Sequence, residues 1–387
     1  MFLIYKRSCF SERALYCMEC CFHPLFNVAL GNCRLDYKRA ENRSFFIAVF
    51  KHMNFVGQRG CSRTALEFCK VLLGLDPDGD PLGVILIIDF YAIRSEQYIF
   101  LVKMYHEWNS VRNLSQLPNF SFSVSLAMFL QAVQEGGSTK EADELLQKAL
   151  IMFPSVLIIL LDKCSVQPDE KVAKHPFFSS QADQSQSPGL RQLVSLYVGR
   201  CHGLWKSPEV MEWLERNVNE VIHRVDSKDP FVKDCKEKRS VRYQGTPRNV
   251  LRHIILSGIK EATVTLPQEL TQTPIFGFDP LPPKDAITNY SRPPRSQPTD
   301  DHGVLSMFFR SLLPNYNLLP EGGAHDERNI AGNQEEAAEG ERRGTDTNDL
   351  RRSVTSLLDA MRDLLSNIHL ADVPNEGDVE SDDEPDE

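Results

Sequence analysis

The chain has no apolar run long enough to cross a bilayer. Its two most apolar windows, Leu82–Ile88 and Ile151–Leu161, stop at Asp89 and Asp162, and the second contains Pro154; a spanning helix needs about 20 residues. Met1-Phe-Leu-Ile-Tyr5 is too short ahead of Lys6 and Arg7 for a secretory leader. No membrane association is therefore expected. The 10 cysteines, thinly spread over 387 residues, fit a reduced cytosol or nucleus better than a disulfide framework. Also missing are GxGxxG, HExxH, GxSxG and a phosphate-cradling lysine loop. Without these, the nucleotide-binding, zinc-protease and serine-hydrolase classes have nothing to stand on. No catalytic activity and no cofactor are expected.

Positive charge is scarce too. The net charge is −10, but Asp372–Glu387 carries nine acidic residues and no basic one, leaving the rest at −1. A nearly neutral body argues against nucleic-acid binding. The most basic stretch is Lys233–Arg242, followed by Arg248, Arg252, His253 and Lys260. It could touch ribosomal RNA or an acidic protein surface, but Asp234, Glu237 and Glu261 dilute it, and a solvated helix face is expected. Cys17-x2-Cys20-Cys21, with Cys9, His23 and Cys33 nearby, lacks the second ligand pair of a zinc site. Those thiols are expected to be buried in a helical core. Cys201 and His202 are neighbours that a helix would point apart. Asp76, Asp78 and Asp80 begin like a calcium loop, but Pro81 and the missing closing Glu break the pattern.

The chain does carry a helix ending that occurs twice. Ala65-Leu-Glu-Phe-Cys69-Lys-Val-Leu72-Leu-Gly-Leu-Asp-Pro77 and Ala142-Asp-Glu-Leu-Leu146-Gln-Lys-Ala149-Leu-Ile-Met-Phe-Pro154 share one spacing. A small residue, apolar residues at +4 and +7, then a terminating proline describe the second helix of a tetratricopeptide-type hairpin. Ser11–Pro24 is a looser third copy with Glu12 at the small position. A chain opening on a second helix either starts inside a larger architecture, as a short isoform would, or uses Met1–Phe10 as a stunted partner. The three prolines are unevenly spaced, so an irregular solenoid with inserted helices is predicted, not a uniform array.

Further helices are predicted over Phe45–Gly57, Leu82–Trp108 (one or two), Phe122–Glu135, Leu190–Val225 and Asn249–Ala262. The fold class is all-α: a divergent tetratricopeptide-like helical-hairpin solenoid followed by a largely disordered C-terminal tail. The helical domain spans 1–262 with an internal loop at 168–188. A Pro-rich linker occupies 263–303, a short apolar motif 304–319 and a disordered acidic, Gly-rich stretch 320–349. An amphipathic helix over 350–370 and an acidic tail over 371–387 complete the chain. Apolar residues gathered in a disordered stretch mark a segment that folds on a partner or packs back on the body. Phe308, Phe309, Leu312, Leu313 and Tyr316 are the candidate partner-binding residues on that ground. Catalytic and metal residues are expected to be none.

Cys33-Arg-Leu-Asp-Tyr37, Glu41-Asn-Arg-Ser44, Arg59-Gly-Cys61, Asp80-Pro81 and Asn113-Leu-Ser-Gln-Leu-Pro-Asn-Phe120 resemble the transcription factor 25 family, also called the ribosome quality control complex subunit 1 family. The match continues through Leu196-Tyr-Val-Gly-Arg200, Leu204-Trp205, Trp213-Leu-Glu215, Thr246-Pro-Arg-Asn249, Gly277-Phe-Asp-Pro-Leu-Pro-Pro283 and Phe308-Phe-Arg-Ser-Leu-Leu-Pro-Asn-Tyr316. The resemblance implies a helical adaptor on stalled large ribosomal subunits, working with the E3 ubiquitin ligase Listerin and ubiquitin so that proteasome-targeting chains form on the trapped nascent chain. It also implies, as the alternative, a nuclear transcriptional repressor or corepressor acting by contacts with transcription-regulator proteins. The family's Lys-rich N-terminal part has no counterpart here, so direct DNA binding is not expected. Cytosol and nucleus are the implied locations.

Overall fold

The two Ala-to-Pro strings become the second helices of two packed pairs. The computed structural model describes residues 2–178, 186–272 and 275–287, all within one unit, Met1–Pro294. The fold is all-α: fifteen α-helices and no strand among the described residues. Phe2–Glu19 (α1), Ala40–Gln58 (α2), Ser62–Leu75 (α3), Ile88–Arg94 (α4) and Tyr98–Arg112 (α5) come first. Pro118–Glu135 (α6), Lys140–Met152 (α7), Ser155–Cys164 (α8), Glu170–Lys174 (α9) and Pro188–Cys201 (α10) come next. Pro208–Asp226 (α11), Pro230–Val241 (α12), Arg248–Ser257 (α13), Lys260–Thr263 (α14) and Gln268–Gln272 (α15) complete the set.

Helix α3 packs on α2, and α7 on α6. Ala65, Cys69 and Leu72, and likewise Ala142, Leu146 and Ala149, are buried, as a small residue with apolar partners one and two turns on requires. Both helices stop two residues before their proline. Three further starts share one device. Ser187-Pro188, Ser207-Pro208 and Asp229-Pro230 open α10, α11 and α12 with Pro in the first turn, where its missing N–H costs nothing. Asp229 also accepts from the Phe231 N–H at 2.9 Å. An aromatic ladder then joins the halves of the core. Phe129 stacks on Trp213 at 4.2 Å, Trp213 on Trp205 at 6.1 Å, and Phe122 on Tyr197 at 5.7 Å.

Several boundaries differ from the sequence reading. Residues 2–19 form one helix, so the segment read as a stunted partner runs, from Phe2, straight into the Ser11–Pro24 segment and is not a separate partner for it. Leu82–Trp108 divides into a 3-10 turn at Val84–Leu86, α4 and α5. Leu190–Val225 divides at a 3-10 turn, His202–Trp205, and Asn249–Ala262 at Gly258, whose φ of 66° is left-handed. Helix α9 interrupts the loop at 168–188. No single helix among the described residues is long and apolar enough to cross a membrane.

Within the stretch read as Pro-rich linker, residues 276–287 lie against the helical body. Asp279 receives Arg43 at 2.9 Å, Gly277 carbonyl receives Lys51 Nζ at 2.8 Å, and Pro282 carbonyl receives Arg248 Nε at 2.7 Å. Arg252 reaches the Pro280 carbonyl at 3.0 Å. The strap ends in an isolated bridge, where Ile287 N–H donates to Lys38 carbonyl at 2.9 Å. Proline-rich chain has few donors of its own, so its carbonyls are free to accept from these side chains.

Candidate partner-binding groove

Helix α1 packs on α2, and an open groove runs beside the pair. Ala14 and Met18 of α1, with Ile47, Ala48 and Phe55 of α2, floor a groove of about 850 Å³. Phe90 and Tyr91 of α4 and the turn Leu256–Ile259 form its far wall. Phe10 and Phe278 stand on its rim, 68% and 71% exposed. Gly57 of α2 leaves the space that the Tyr91 ring of α4 occupies: a Cβ there would collide with the Tyr91 hydroxyl. Among the described residues no carboxylate lines the groove, and its charged members are Lys51 and Arg200. An open apolar trough with aromatic rims is a surface for another chain's side chains.

Behind the groove lies a knot of buried polar groups. His253 is fully buried. Its Nδ1 meets the Leu82 carbonyl at 2.8 Å and its Nε2 meets an Arg200 guanidinium nitrogen at 2.8 Å. Since Arg can only donate, Nε2 must accept, and the ring is neutral with its proton on Nδ1. Burial first and the Arg200 charge second push its pKa well below the ordinary histidine value. Arg200 also donates to the Leu86 carbonyl. Arg252 covers the Tyr37 ring at 4.9 Å and donates to the carbonyls of Pro81 and Leu281. Asp80 accepts the Val84 and Ile85 N–H groups at 2.7 and 3.0 Å, while burial raises its pKa to about 6. Asp89 accepts from Asn119 at 2.9 Å and Ser123 at 2.6 Å, and burial raises its pKa as well.

These contacts bring together most of the strings that carry the family resemblance. Tyr37, Arg43, Asp80, Asn119, Arg200, Asn249 and Asp279 are far apart in sequence and gathered here; Asn249 Nδ2 donates to the Asp80 carbonyl at 3.2 Å. Each of these residues touches another segment of the chain, although the Tyr37 hydroxyl and Asn119 Oδ1 are buried without a hydrogen-bond partner, so their shared task is to hold chain segments in register.

The other candidates resolve individually. Phe308, Phe309, Leu312, Leu313 and Tyr316 lie outside the described residues, as do the stretches at 320–349, 350–370 and 371–387. Cys17, Cys20 and Cys21 are exposed, not core thiols. They sit at the C-terminal end of α1, where Leu15, Met18 and Phe22 take the inward positions. Cys201 is buried, and its neighbour's ring bonds the Val198 carbonyl at 3.1 Å. Asp76 accepts the Gly79 N–H at 2.9 Å and Asp78 meets Arg112 at 3.4 Å, so with Asp80 turned inward the three aspartates share no centre. Among the described residues no three His, Cys, Asp or Glu side chains are placed to hold a metal ion. The basic stretch on α12 is largely spent locally. Lys233 and Lys238 pair with Glu237 and Asp234, and Arg239 caps α7 through the Ile151 and Met152 carbonyls at 2.7 and 3.0 Å.

A family model described as transcriptional repressor TCF25 matches residues 7–283. The human protein named ribosome quality control complex subunit TCF25 is 48% identical over 382 residues, which is 96% of this chain and 54% of the human one. A Dictyostelium discoideum protein of the same name is 36% identical over 310 residues, 72% of this chain and 41% of that one. The Saccharomyces cerevisiae ribosome quality control complex subunit 1 is 26% identical over 272 residues, 65% of this chain and 35% of its own length. The chain thus spans about half the length of the human relative, at 54%. No solved structure matches it.

Proposed function

The chain belongs to the family described as transcriptional repressor TCF25, and on that premise we propose that it is a non-catalytic adaptor subunit in ribosome quality control. In this reading it binds stalled large ribosomal subunits together with the ligase Listerin and ubiquitin. It holds them so that one proteasome-targeting ubiquitin linkage is favoured on the trapped nascent chain, a gain from positioning. Relatives named as subunits of that complex support the setting, and the open apolar groove rimmed by Phe10 and Phe278 is the observation that supports an adaptor's mode of action. The hydrogen-bonded polar knot behind it ties Arg200 and His253 to the turn before α4 and so braces the groove wall. The cytosol is the place of this activity.

The test is affinity capture of the full chain from cells with and without ribosome stalling, beside a variant with Ala48→Arg in the groove. Stalling is expected to enrich large-subunit proteins and the ligase on the wild type and much less on the variant. Equal recovery with and without stalling would sink the proposal. The description of the family model as a transcriptional repressor favours a second reading: a nuclear corepressor acting through protein contacts. It requires chromatin association without intrinsic DNA affinity, which fractionation of nuclei measures.

A further inference from the structure

On a different face from the α1–α2 groove, helices α3 and α5 leave a slot of about 470 Å³ between them. Leu73, Ile88 and Met104 are its buried floor, with Phe100 and Trp108 half-buried along one side. The apolar stripe of α5 continues past it to Val111, which is 81% exposed and falls on the same helical face as Phe100.

Gly74 lies on the slot's edge near the end of α3. A glycine inside a helix costs about 0.5–1 kcal/mol relative to alanine. Here no crowding demands it, because a Cβ built on Gly74 meets nothing within 4 Å. What its missing side chain leaves is room in the slot.

The charges around this room are unequal. Arg34, Lys70 and Lys103 line it against the single carboxylate of Glu107. Lys70 meets Glu67 at 2.9 Å. Arg34 donates to the Gly31 and Cys33 carbonyls, both at 3.1 Å. Among the described residues no carboxylate pairs with Arg34 or Lys103.

We propose that this slot receives a short acidic segment of a partner protein. One or two aliphatic or aromatic side chains of that segment enter beside Gly74, and its carboxylates meet Arg34, Lys70 and Lys103. The volume fits a few side chains of a peptide. The surplus of cations over carboxylates supplies charge complementarity, which selects an acidic partner and speeds encounter. A single-stranded nucleic acid fits less well, since it needs bare aromatic faces for base stacking. The Lys70 ammonium lies over the Phe100 ring at 4.4 Å and the Arg112 guanidinium over Trp108 at 5.5 Å.

The test is fluorescence anisotropy with the full chain and a short labelled peptide in which Glu alternates with Leu around a central Phe. Saturable binding is expected, weakened about tenfold or more by Gly74→Trp, which fills the slot, and by Lys103→Glu on the solvent side. Added salt should weaken it as well. Lys103→Glu touches no buried contact, so it keeps the test valid should Gly74→Trp unfold; melting curves check both. No binding, or equal binding by wild type and both variants, overturns the proposal. So does displacement of the peptide by single-stranded RNA, or a concentration-dependent dimer that Gly74→Trp abolishes, either of which assigns the slot to another occupant.

Discussion

His253 shows how one side chain can carry a chain-wide constraint. Its ring is held between a carbonyl from the turn before α4 and a guanidinium from α10, and only the neutral ring satisfies both. Because its pKa lies well below the ordinary value in the folded state, the unfolded chain takes up a proton that the folded chain refuses. Stability from this group is therefore fully present above the unfolded value of about 6.5 and is lost as pH falls through it, by up to about 1.4 kcal/mol per pH unit. Asp80 and Asp89, both raised by burial, act in the opposite sense. The folded pKa of Asp80, about 6, exceeds the unfolded 3.8, so it adds stability as pH drops below 6. His52, lowered mainly by burial, adds a smaller loss in the same window as His253. The His253 contribution is therefore read as the difference in melting temperature between wild type and a His253→Asn variant, which is expected to shrink between about pH 7 and pH 5.5. The variant should melt lower at neutral pH and lose less stability, relative to wild type, as the pH falls. Parallel slopes for the two proteins would exclude His253 as the proton-linked group.

Among the elements, the strap at residues 276–287 is held by side chains from α2 and α13. Arg43 is its ion-pair tether through Asp279, with the Arg43 and Asp279 side chains 8% and 22% exposed. Replacing Arg43 by Met leaves that carboxylate facing a dry wall. The expected cost is about 2 kcal/mol, discounted from a fully buried pair because Asp279 keeps some water. Hydrogen exchange at Ile287, whose N–H meets the Lys38 carbonyl, should speed markedly in Arg43→Met; unchanged protection there would show that the strap is held elsewhere.

The strap also marks where local sequence signals end. Helices α3 and α7 are legible, because a small residue, two apolar turns and a proline follow from helix geometry alone. The Ser-Pro and Asp-Pro starts of α10 to α12 are equally local, yet the apolar stripe over Leu190–Val225 hides the break between two of those helices. The strap itself is not legible, since Pro-rich composition reads as spacer until the arginines that bind its carbonyls are known. Nor does sequence show that Asp89, which interrupts an apolar run, is satisfied by Asn119 and Ser123 from α6. The groove is hidden for the same reason: its lining runs from Phe10 to Phe278, and no window of sequence spans that distance. Cys17, Cys20 and Cys21 are exposed against expectation because residue type favours burial while helix phase decides it.

At the scale of the whole molecule, most of the strings that carry the family resemblance meet in the polar knot, and the groove and the slot lie beside it. On the adaptor proposal, these segments fix a scaffold whose shape is the working part. This division separates two kinds of damage, since knot variants should lower stability and groove variants should lower partner binding alone. The most direct measurement is a reconstituted ubiquitin transfer reaction on stalled large ribosomal subunits with Listerin. It is run without the chain, with the chain, and with the folded Ala48→Arg variant, reading the linkage spectrum by mass spectrometry. The wild-type chain is expected to shift the products toward one proteasome-targeting linkage and the variant to leave them near the chain-free pattern. An identical spectrum in all three reactions would contradict the adaptor account.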